Sequence, residues 1–333
     1  MAPMALMRAP LRRPTVADFA TQAISPMPTS SPLPVDSSPN VGWANRLGLG
    51  FMRLLARLPL PWIRSLGWLG GQLLHGVAAR RRRIARVNWA RCFPQDSEAQ
   101  RNRAVRQHFV YFVQAWLDRS WLWEANEATV RSRLRLVGAT DELQGSAPTV
   151  IFSPHFVGLD AGGTALALFA PRAFISVYAE QANEAVDRWI RAGRLRYGAV
   201  KLVSRHQGLR PVVQAVRAAE VLYLLPDMDM GASESVFVPF FGVLTATVPT
   251  LPRLARLGQA KVVPVVSRIT PQGYDVEVSP AWPDYPGPDA QADTALMNQR
   301  LEAMIRTMPE QYYWVHKRFK TRPPGDPSFY GKD

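Results

Sequence analysis

The stretch PTVIFSPHFVGLD, residues 148–160, decides the fold class. Its β-branched and apolar beginning predicts a short buried strand, and Ser-Pro ends that strand. The residues that follow have a helical pattern, although they include a carboxylate. A strand that passes directly into a helix is typical of α/β proteins. The junction carries His155 and Asp160, at the edge of the sheet where such proteins place reacting groups.

The same alternation continues through the rest of the chain. Short β-branched runs predict strands at 149–153, 173–178, 199–203, 221–225, 261–267 and 274–279. Helical patterns are predicted at 97–124, with Ser97 as the N-cap, and at 157–169, 183–197, 207–219, 246–258 and 290–308. The pattern predicts an α/β fold with a mixed, largely parallel central sheet flanked by helices, preceded by a membrane-associating helical segment.

Three parts are expected along the chain. Residues 1–40 are rich in proline, alanine and serine and lack a continuous apolar region, so we predict a disordered extension and no secretory signal. An alternative is that translation starts at Met7 or Met27. Residues 41–79 are predicted to form helices that associate with a membrane, and residues 80–333 the main domain.

The segment 41–79 is apolar and aromatic, but glycines and two prolines interrupt it. Its longest uncharged run, Ser65–Ala79, has 15 residues, which is shorter than the roughly 18–20 residues of a spanning helix. Arginines recur at helical spacing among leucines and tryptophans, which is typical of a helix lying in the membrane interface. The alternative is an amphipathic helix that packs on the domain.

The charge of the chain points to an anionic partner. The formal net charge is +14, and nine arginines stand against two acids between Arg80 and Arg106. Such a surplus favours a membrane surface, nucleic acid or an acidic protein or substrate. The ten tryptophans favour lipid headgroups over a nucleic-acid groove. The only cysteine, Cys92, excludes an internal disulfide and a cysteine-based zinc site.

His155 and Asp160 form a candidate catalytic pair. Residues five apart on one helix point about 140° away from each other. The two side chains therefore meet only if His155 lies on the turn and Asp160 reaches back from the first helical turns. A carboxylate on one ring nitrogen would leave the other as a general base. The alternative is a histidine at a helix start and an acid stabilised by the helix dipole.

Further stretches accompany this pair in a fixed order. They are GRLRYG at 193–198, PDMDMG at 226–231, FVPFFG at 237–242 followed by TAT, and QYYWVHKRFKTRPPG at 311–325. Together with HFVGLD they resemble the lysophospholipid acyltransferase superfamily, and in particular the bacterial lipid A biosynthesis (lauroyl/myristoyl) acyltransferases. The resemblance runs from about Leu47 through NWARCFP to the C-terminus. Asp160 departs from the glutamate common in the lipid A branch, and Met228 stands where glutamine is frequent.

The resemblance implies an acyltransferase that adds a late secondary acyl chain to a lipid A precursor. His155 would take the proton of an acceptor hydroxyl, Asp160 would hold the imidazole, and the hydroxyl would attack an acyl thioester on acyl carrier protein. Arg194, Arg196 or backbone amides are candidates for the oxyanion, and either arginine can instead bind a phosphate or form a solvated helix face. Asp227 is expected to position an arginine or the sugar acceptor, or to stabilise its loop.

Other parts of the resemblance concern partners and location. The basic tail with Arg318 is expected to bind phosphate or the carrier protein, with a plain basic surface as the alternative. FVPFF is expected either to line an acyl slot or to lie in the core. No cofactor, metal or nucleic acid is expected, and the enzyme would work on the cytoplasmic face of the inner membrane. The alternative functions are transfer to a lysophospholipid or an amino-acid-based lipid, and nucleic-acid binding.

Overall fold

A computed structural model describes residues 42–331 of the chain. The predicted extension 1–40 and the proposed start sites therefore lie outside the described residues. Five helices come first: α1 (Trp43–Leu55), α2 (Leu60–Val77), α3 (Ala79–Cys92), α4 (Glu98–Glu124) and α5 (Glu127–Ser132). Ser97 caps α4 as predicted, because its hydroxyl accepts a hydrogen bond from the Gln100 amide at 3.3 Å.

The rest of the chain alternates strands and helices. The strands are β1 (Leu134–Gly138), β2 (Thr149–Phe152), β3 (Phe174–Tyr178), β4 (Val200–Ser204), β5 (Val221–Leu224), β6 (Val236–Phe240), β7 (Val243–Thr247), β8 (Lys261–Thr270) and β9 (Gly273–Val278). The helices are α6 (Leu159–Phe169), α7 (Glu184–Arg194), α8 (Arg210–Arg217), α9 (Thr250–Gly258) and α10 (Ala290–Thr307). The prediction of an α/β fold is confirmed.

Seven strands form the central sheet in the order β1-β9-β8-β2-β5-β3-β4. The five strands from β8 to β4 are parallel, while β9 pairs antiparallel with β8 and β1 pairs parallel with β9. The sheet is therefore mixed and largely parallel, as predicted. Buried apolar side chains cover both of its faces. Each of the six predicted strands is present, with ends shifted by up to three residues.

Two features differ from the prediction. Strand β1 was not predicted, because its sequence LRLVG alternates polar and apolar residues too briefly to stand out. The stretch 236–247, where no strand was predicted and whose last two residues were assigned to the helix 246–258, forms the β6–β7 hairpin. Its two turn residues, Phe241 and Gly242, both have positive φ (48° and 75°), the conformation of a tight two-residue hairpin turn.

Helices α1 and α2 pack against α4 on one side and expose apolar residues on the other. Gly71 lets α2 approach α4 closely, because a Cβ there would lie 2.5 Å from the Cα of Val110. A buried ion pair of 2.7 Å between Arg64 and Asp118 joins the same two helices. Burial raises the pKa of Asp118, although Arg64 and a hydrogen bond from Tyr274 favour its charged form.

The outward faces of α1 and α2 are strongly apolar. The exposed side chains are Trp43, Leu47, Phe51, Leu54, Trp62, Leu66, Trp68, Leu69, Leu73 and Val77. In α1 they recur at positions i, i+4, i+8 and i+11, so they form one stripe. Among residues 42–331, no helix has the length and apolar character needed to cross a bilayer. One face of α1 and α2 packs on the domain, which agrees with the alternative of an amphipathic helix packed there. The opposite face of both helices is apolar and exposed.

Candidate active site

His155 and Asp227 meet at the carboxyl end of the sheet. Strands β2 and β5 are parallel neighbours, with Phe152 opposite Leu224. His155 follows Phe152 by three residues, and Asp227 follows Leu224 by three residues. The pairing of the two strands therefore brings side chains 72 positions apart in the sequence into contact.

The Asp227 carboxylate holds both the ring and the backbone of His155. Its Oδ1 lies 2.7 Å from His155 Nδ1, and the His155 amide donates to its two oxygens at 3.2 and 3.0 Å. Tyr312 donates its hydroxyl to Oδ2 at 3.0 Å. A proton on Nδ1 is required to bond this carboxylate, so Nε2 is left with a free lone pair. This arrangement suits a general base.

The electrostatics of the pair favour an ionised Asp227. The carboxylate is fully buried, and burial alone would raise its pKa. The electrostatic attraction and hydrogen bonds of His155, with the Tyr312 hydrogen bond, lower the pKa of Asp227 below its ordinary value instead. Burial and the neighbouring carboxylate raise the pKa of Tyr312, which keeps its hydroxyl protonated as a donor. The folded protein thus holds a carboxylate, not an acid, against the imidazole.

Asp160 does not make the predicted contact with the imidazole. Its carboxylate accepts hydrogen bonds from Arg119 Nε at 2.7 Å and from Arg194 Nε at 2.8 Å. Burial opposes its ionisation, but these two guanidinium groups lower the pKa of Asp160. The prediction that it holds His155 was wrong: His155 lies on the turn and Asp160 in the first turn of α6, but the Asp160 carboxylate is taken by Arg119 and Arg194, and Asp227 occupies the ring nitrogen.

The two arginines of GRLRYG have different surroundings. Arg194 lies over the Tyr178 ring, with its Cζ 5.3 Å from the centroid, and lines the same cavity as His155 and Asp160. Arg196 instead donates to the backbone carbonyls of Leu122 and Ala125 at the end of α4. Of the two predicted candidates, only Arg194 therefore faces the cavity, and Arg196 fastens the loop after α7 to α4.

The C-terminal tail braces the site from within the fold. Tyr313 donates its amide to the His155 carbonyl at 2.9 Å, and the Val157 amide donates to the Gln311 carbonyl at 2.9 Å. Arg318 is buried and donates to Ala246 O at 3.0 Å and to Thr247 Oγ1 at 2.8 Å. The prediction that Arg318 binds a phosphate or the carrier protein does not fit this placement, because its guanidinium is enclosed beside the hairpin.

Asp229, the second acid of PDMDMG, hydrogen-bonds to the C-terminal tail. Asp229 accepts hydrogen bonds from the amide and hydroxyl of Thr321 at 2.7 and 2.8 Å, and its own amide donates to His316 Nε2 at 3.2 Å. Burial first, then the charges of Arg318 and His155, lower the pKa of His316 to about 4. His316 is therefore a neutral hydrogen-bond acceptor near pH 7, and the two aspartates of the motif have separate tasks.

A cavity of about 520 Å³ opens beside His155. This volume lies within the range of roughly 300–1,000 Å³ that is usual for small-molecule sites. It is walled by α6, by β3, β4 and β5, and by the start of α9, mostly through apolar side chains. FVPFF is absent from its lining among the described residues, and Phe240 is fully buried in the core. Of the two expectations for FVPFF, the core placement is observed for Val238 and Phe240, whereas Pro239 is exposed.

Within residues 42–331, no group of three or more histidine, cysteine, aspartate or glutamate side chains is close enough to hold a metal ion. Cys92 is buried, and desolvation raises the pKa of its thiol well above the ordinary value. A thiol in this environment is a poor nucleophile.

Sequence reasoning missed three contacts of the site, namely Asp227 as the carboxylate on the imidazole, Tyr312 on that carboxylate, and Arg119 on Asp160. A signal for the first was present: SPH and LPD both follow predicted strands, with a proline directly before the polar residue. Adjacent strands that end in the same way bring those residues together. Arg119 lies in the middle of a long helix, and Tyr312 is one of two neighbouring tyrosines, so no pattern in the sequence distinguishes either.

Comparison with known proteins identifies the family. A family model described as bacterial lipid A biosynthesis acyltransferase matches residues 38–321. The lipid A biosynthesis lauroyltransferase of Escherichia coli (strain K12) is 33% identical over 295 residues, which cover 86% of this chain and 95% of the relative.

Two further relatives from Escherichia coli (strain K12) agree with this match. The lipid A biosynthesis palmitoleoyltransferase is 32% identical over 296 residues, covering 86% of this chain and 94% of the relative. The lipid A biosynthesis myristoyltransferase is 31% identical over 293 residues, covering 85% and 89%. The match to the family model over most of the chain, with relatives of this identity and coverage, shows that the protein is an acyltransferase of the bacterial lipid A biosynthesis acyltransferase family.

Proposed function

We propose that this enzyme transfers a fatty acyl chain from a thioester on acyl carrier protein to a hydroxyl of a lipid A precursor, as a late secondary acylation. The observation that carries this proposal is the His155–Asp227 pair at one end of an apolar cavity of about 520 Å³. A general base beside a mostly apolar cavity is what a hydroxyl acceptor and an acyl donor require.

The reaction follows from the orientation of the imidazole. His155 Nε2 removes the proton of the acceptor hydroxyl while that oxygen attacks the thioester carbonyl carbon. The Asp227 carboxylate stabilises the imidazolium that forms. The tetrahedral intermediate then collapses with cleavage of the C–S bond, and the imidazolium returns the proton to the leaving thiolate. No acyl-enzyme is needed, in keeping with the burial of Cys92.

Arg194 is the proposed cation of the site, and Asp160 is its positioning residue. The Arg194 side chain lines the cavity, and its guanidinium donates a hydrogen bond of 2.8 Å to Asp160. Arg119 contacts the same carboxylate. Because this guanidinium is already held in place, little reorganisation is needed when negative charge develops on the thioester oxygen. The same group suits a phosphate of the acceptor.

The membrane is the proposed working surface, on the cytoplasmic side of the inner membrane where carrier-protein thioesters are available. The uncovered apolar stripe of α1 and α2 supports this location, as do the exposed arginines that follow it on α3, namely Arg81, Arg83, Arg86 and Arg91. Apolar burial and anionic headgroups would act together on such a surface. Acyl carrier protein and the anionic glycolipid are the proposed partners.

Removing aromatic residues from α2 tests the membrane proposal. Trp62 and Trp68 are exposed on the protein. We expect the double variant W62S/W68S to bind vesicles containing anionic lipid less tightly, by roughly tenfold for each tryptophan that would otherwise be half-buried in the bilayer. Co-sedimentation with vesicles measures the partition. Leu257→Ser, which changes an exposed apolar residue on α9, is the control and should bind like the wild type. Equal binding of the double variant and the wild type would contradict a membrane contact through α2.

Lipid A from a strain that lacks the protein tests the proposed acceptor. Mass spectrometry should show a species short of one acyl chain, whose mass difference gives the chain length, and expression of the wild-type protein should restore it. Purified enzyme supplied with an acyl carrier protein thioester should acylate the lipid A precursor in preference to a lysophospholipid. Unchanged lipid A, together with transfer to the lysophospholipid, would favour the alternative acceptor.

A further inference from the structure

Helix α6 carries two consecutive glycines next to the site, Gly162 and Gly163. Glycine destabilises a helix interior relative to alanine, so each position calls for a reason. The reason at Gly162 is packing. A Cβ on Gly162 would lie 2.3 Å from Ser267 Oγ and 3.1 Å from the Tyr223 hydroxyl, where no side chain fits.

Packing gives no such reason at Gly163. A Cβ added there would meet no heavy atom within 4 Å. Gly163 also lines the cavity, with Leu159 one helical turn before it and Leu166 nearly one turn after it on the same face of α6. A side chain at this position would therefore project into the cavity. The missing side chain keeps that part of the cavity open.

The position of Gly163 along the cavity follows from the sheet. Tyr178 ends β3 near His155, whereas Phe174 begins β3 and pairs with Val200 at the start of β4. All three residues line the cavity, so it extends from the reactive end along the whole of β3 toward the opposite edge of the sheet. Helix α6 starts beside His155 and runs the same way. Gly163 therefore lies between the reactive end and the floor formed by Phe174 and Val200.

We propose that Gly163 is a specificity-determining residue that admits the distal part of the donor's acyl chain to the deep end of the cavity, and so sets the longest chain accepted. This inference rests on the proposed function, because it assigns the cavity to the acyl donor. Chains that end before Gly163 do not reach its open space, whereas longer chains must pass it. The open space at Gly163 thus acts on chain length and not on the transfer step.

Two substitutions test this assignment. Gly163→Ala fills about one methylene of space and should lower kcat/KM for the longest accepted chain roughly fourfold, while Gly163→Leu should lower it by more than about a hundredfold. Competition between carrier-protein thioesters from octanoyl to palmitoyl measures the profile. Chains too short to reach Gly163 should keep their wild-type rates. The matched controls are Gly76→Ala and Gly76→Leu on α2, where an added Cβ also meets nothing.

Binding of free saturated fatty acids supplies a readout that needs no acceptor. Thermal shift with a graded series should show loss of stabilisation by the longest chains in Gly163→Leu and retention by the shorter ones. A folded Gly163→Leu enzyme with the wild-type profile in both assays would overturn the inference while leaving the proposed function intact. A wild-type enzyme that neither binds fatty acids nor transfers an acyl chain would overturn the proposed function itself.

Discussion

Replacing His155 by alanine is expected to lower kcat for acyl transfer by about 10²–10⁴-fold, the usual contribution of a positioned general base. Without Nε2 the acceptor hydroxyl must lose its proton to water while it attacks the thioester. KM for both substrates should change little, because the apolar walls and Arg194 are retained. Steady-state kinetics with a carrier-protein thioester and a lipid A precursor measures the effect.

The control for this variant is His75→Gln, which changes a half-buried histidine on α2 that does not line the cavity. Its kcat should stay near that of the wild type. Vesicle binding and a cooperative thermal unfolding transition should be retained in His155→Ala, although its midpoint should fall because the buried Asp227 carboxylate loses its partner, which separates loss of chemistry from loss of fold. A His155→Ala enzyme with kcat close to wild type would refute the general-base mechanism.

Asp227→Asn is expected to lower kcat by about 10²–10⁴-fold as well, although the side chain keeps its shape. A carboxamide cannot stabilise the imidazolium, and its NH₂ group favours the wrong tautomer of His155; the corresponding change in serine proteases has an effect of about 10⁴. Asp160→Asn is the informative comparison. It leaves Arg119 and Arg194 with a weakened partner, so we expect a lower unfolding midpoint and a smaller loss of kcat than in Asp227→Asn.

The pH dependence of unfolding gives an independent check on Asp227. Its pKa in the folded protein is lower than its ordinary value. The ionised carboxylate therefore contributes stability at pH values above the ordinary carboxyl pKa, and that contribution is lost as the pH falls through the folded value. Asp227→Asn should remove this part of the acid destabilisation.

If Asp160→Asn lowered kcat as much as Asp227→Asn and left the unfolding midpoint unchanged, the assignment of the imidazole's carboxylate would be wrong.

The sequence was sufficient for the parts of the fold that depend on local pattern. Continuous β-branched runs marked the parallel strands, and the residues after β2 and β5 identified His155 and Asp227 as the polar groups at the sheet's edge. The hairpin at 236–247 was missed because Pro239 and a pair of phenylalanines conceal the alternation that a strand usually shows. That stretch is recognisable only from its turn.

The pairing of charges in the site was less predictable. The spacing of HFVGLD suggested that Asp160 serves its near neighbour in sequence, whereas the carboxylate's partners come from α4 and α7. Likewise, the basic tail looked like a binding surface, yet Arg318 is enclosed against the hairpin. Both outcomes depend on which helices pack together, and short-range sequence patterns do not contain that information.

The register between β2 and β5 has a consequence for how the enzyme is made. His155 and Asp227 are 72 residues apart in sequence, and Tyr312 is a further 85 residues away. Contacts of such separation form late in folding, because closing long loops costs entropy before the contacts can offset it. We therefore expect the His155–Asp227 contact to form only after the sheet has assembled, with Tyr312 joining it from the last part of the chain. The geometry that the proposed base requires should then be complete only when the last part of the chain is in place.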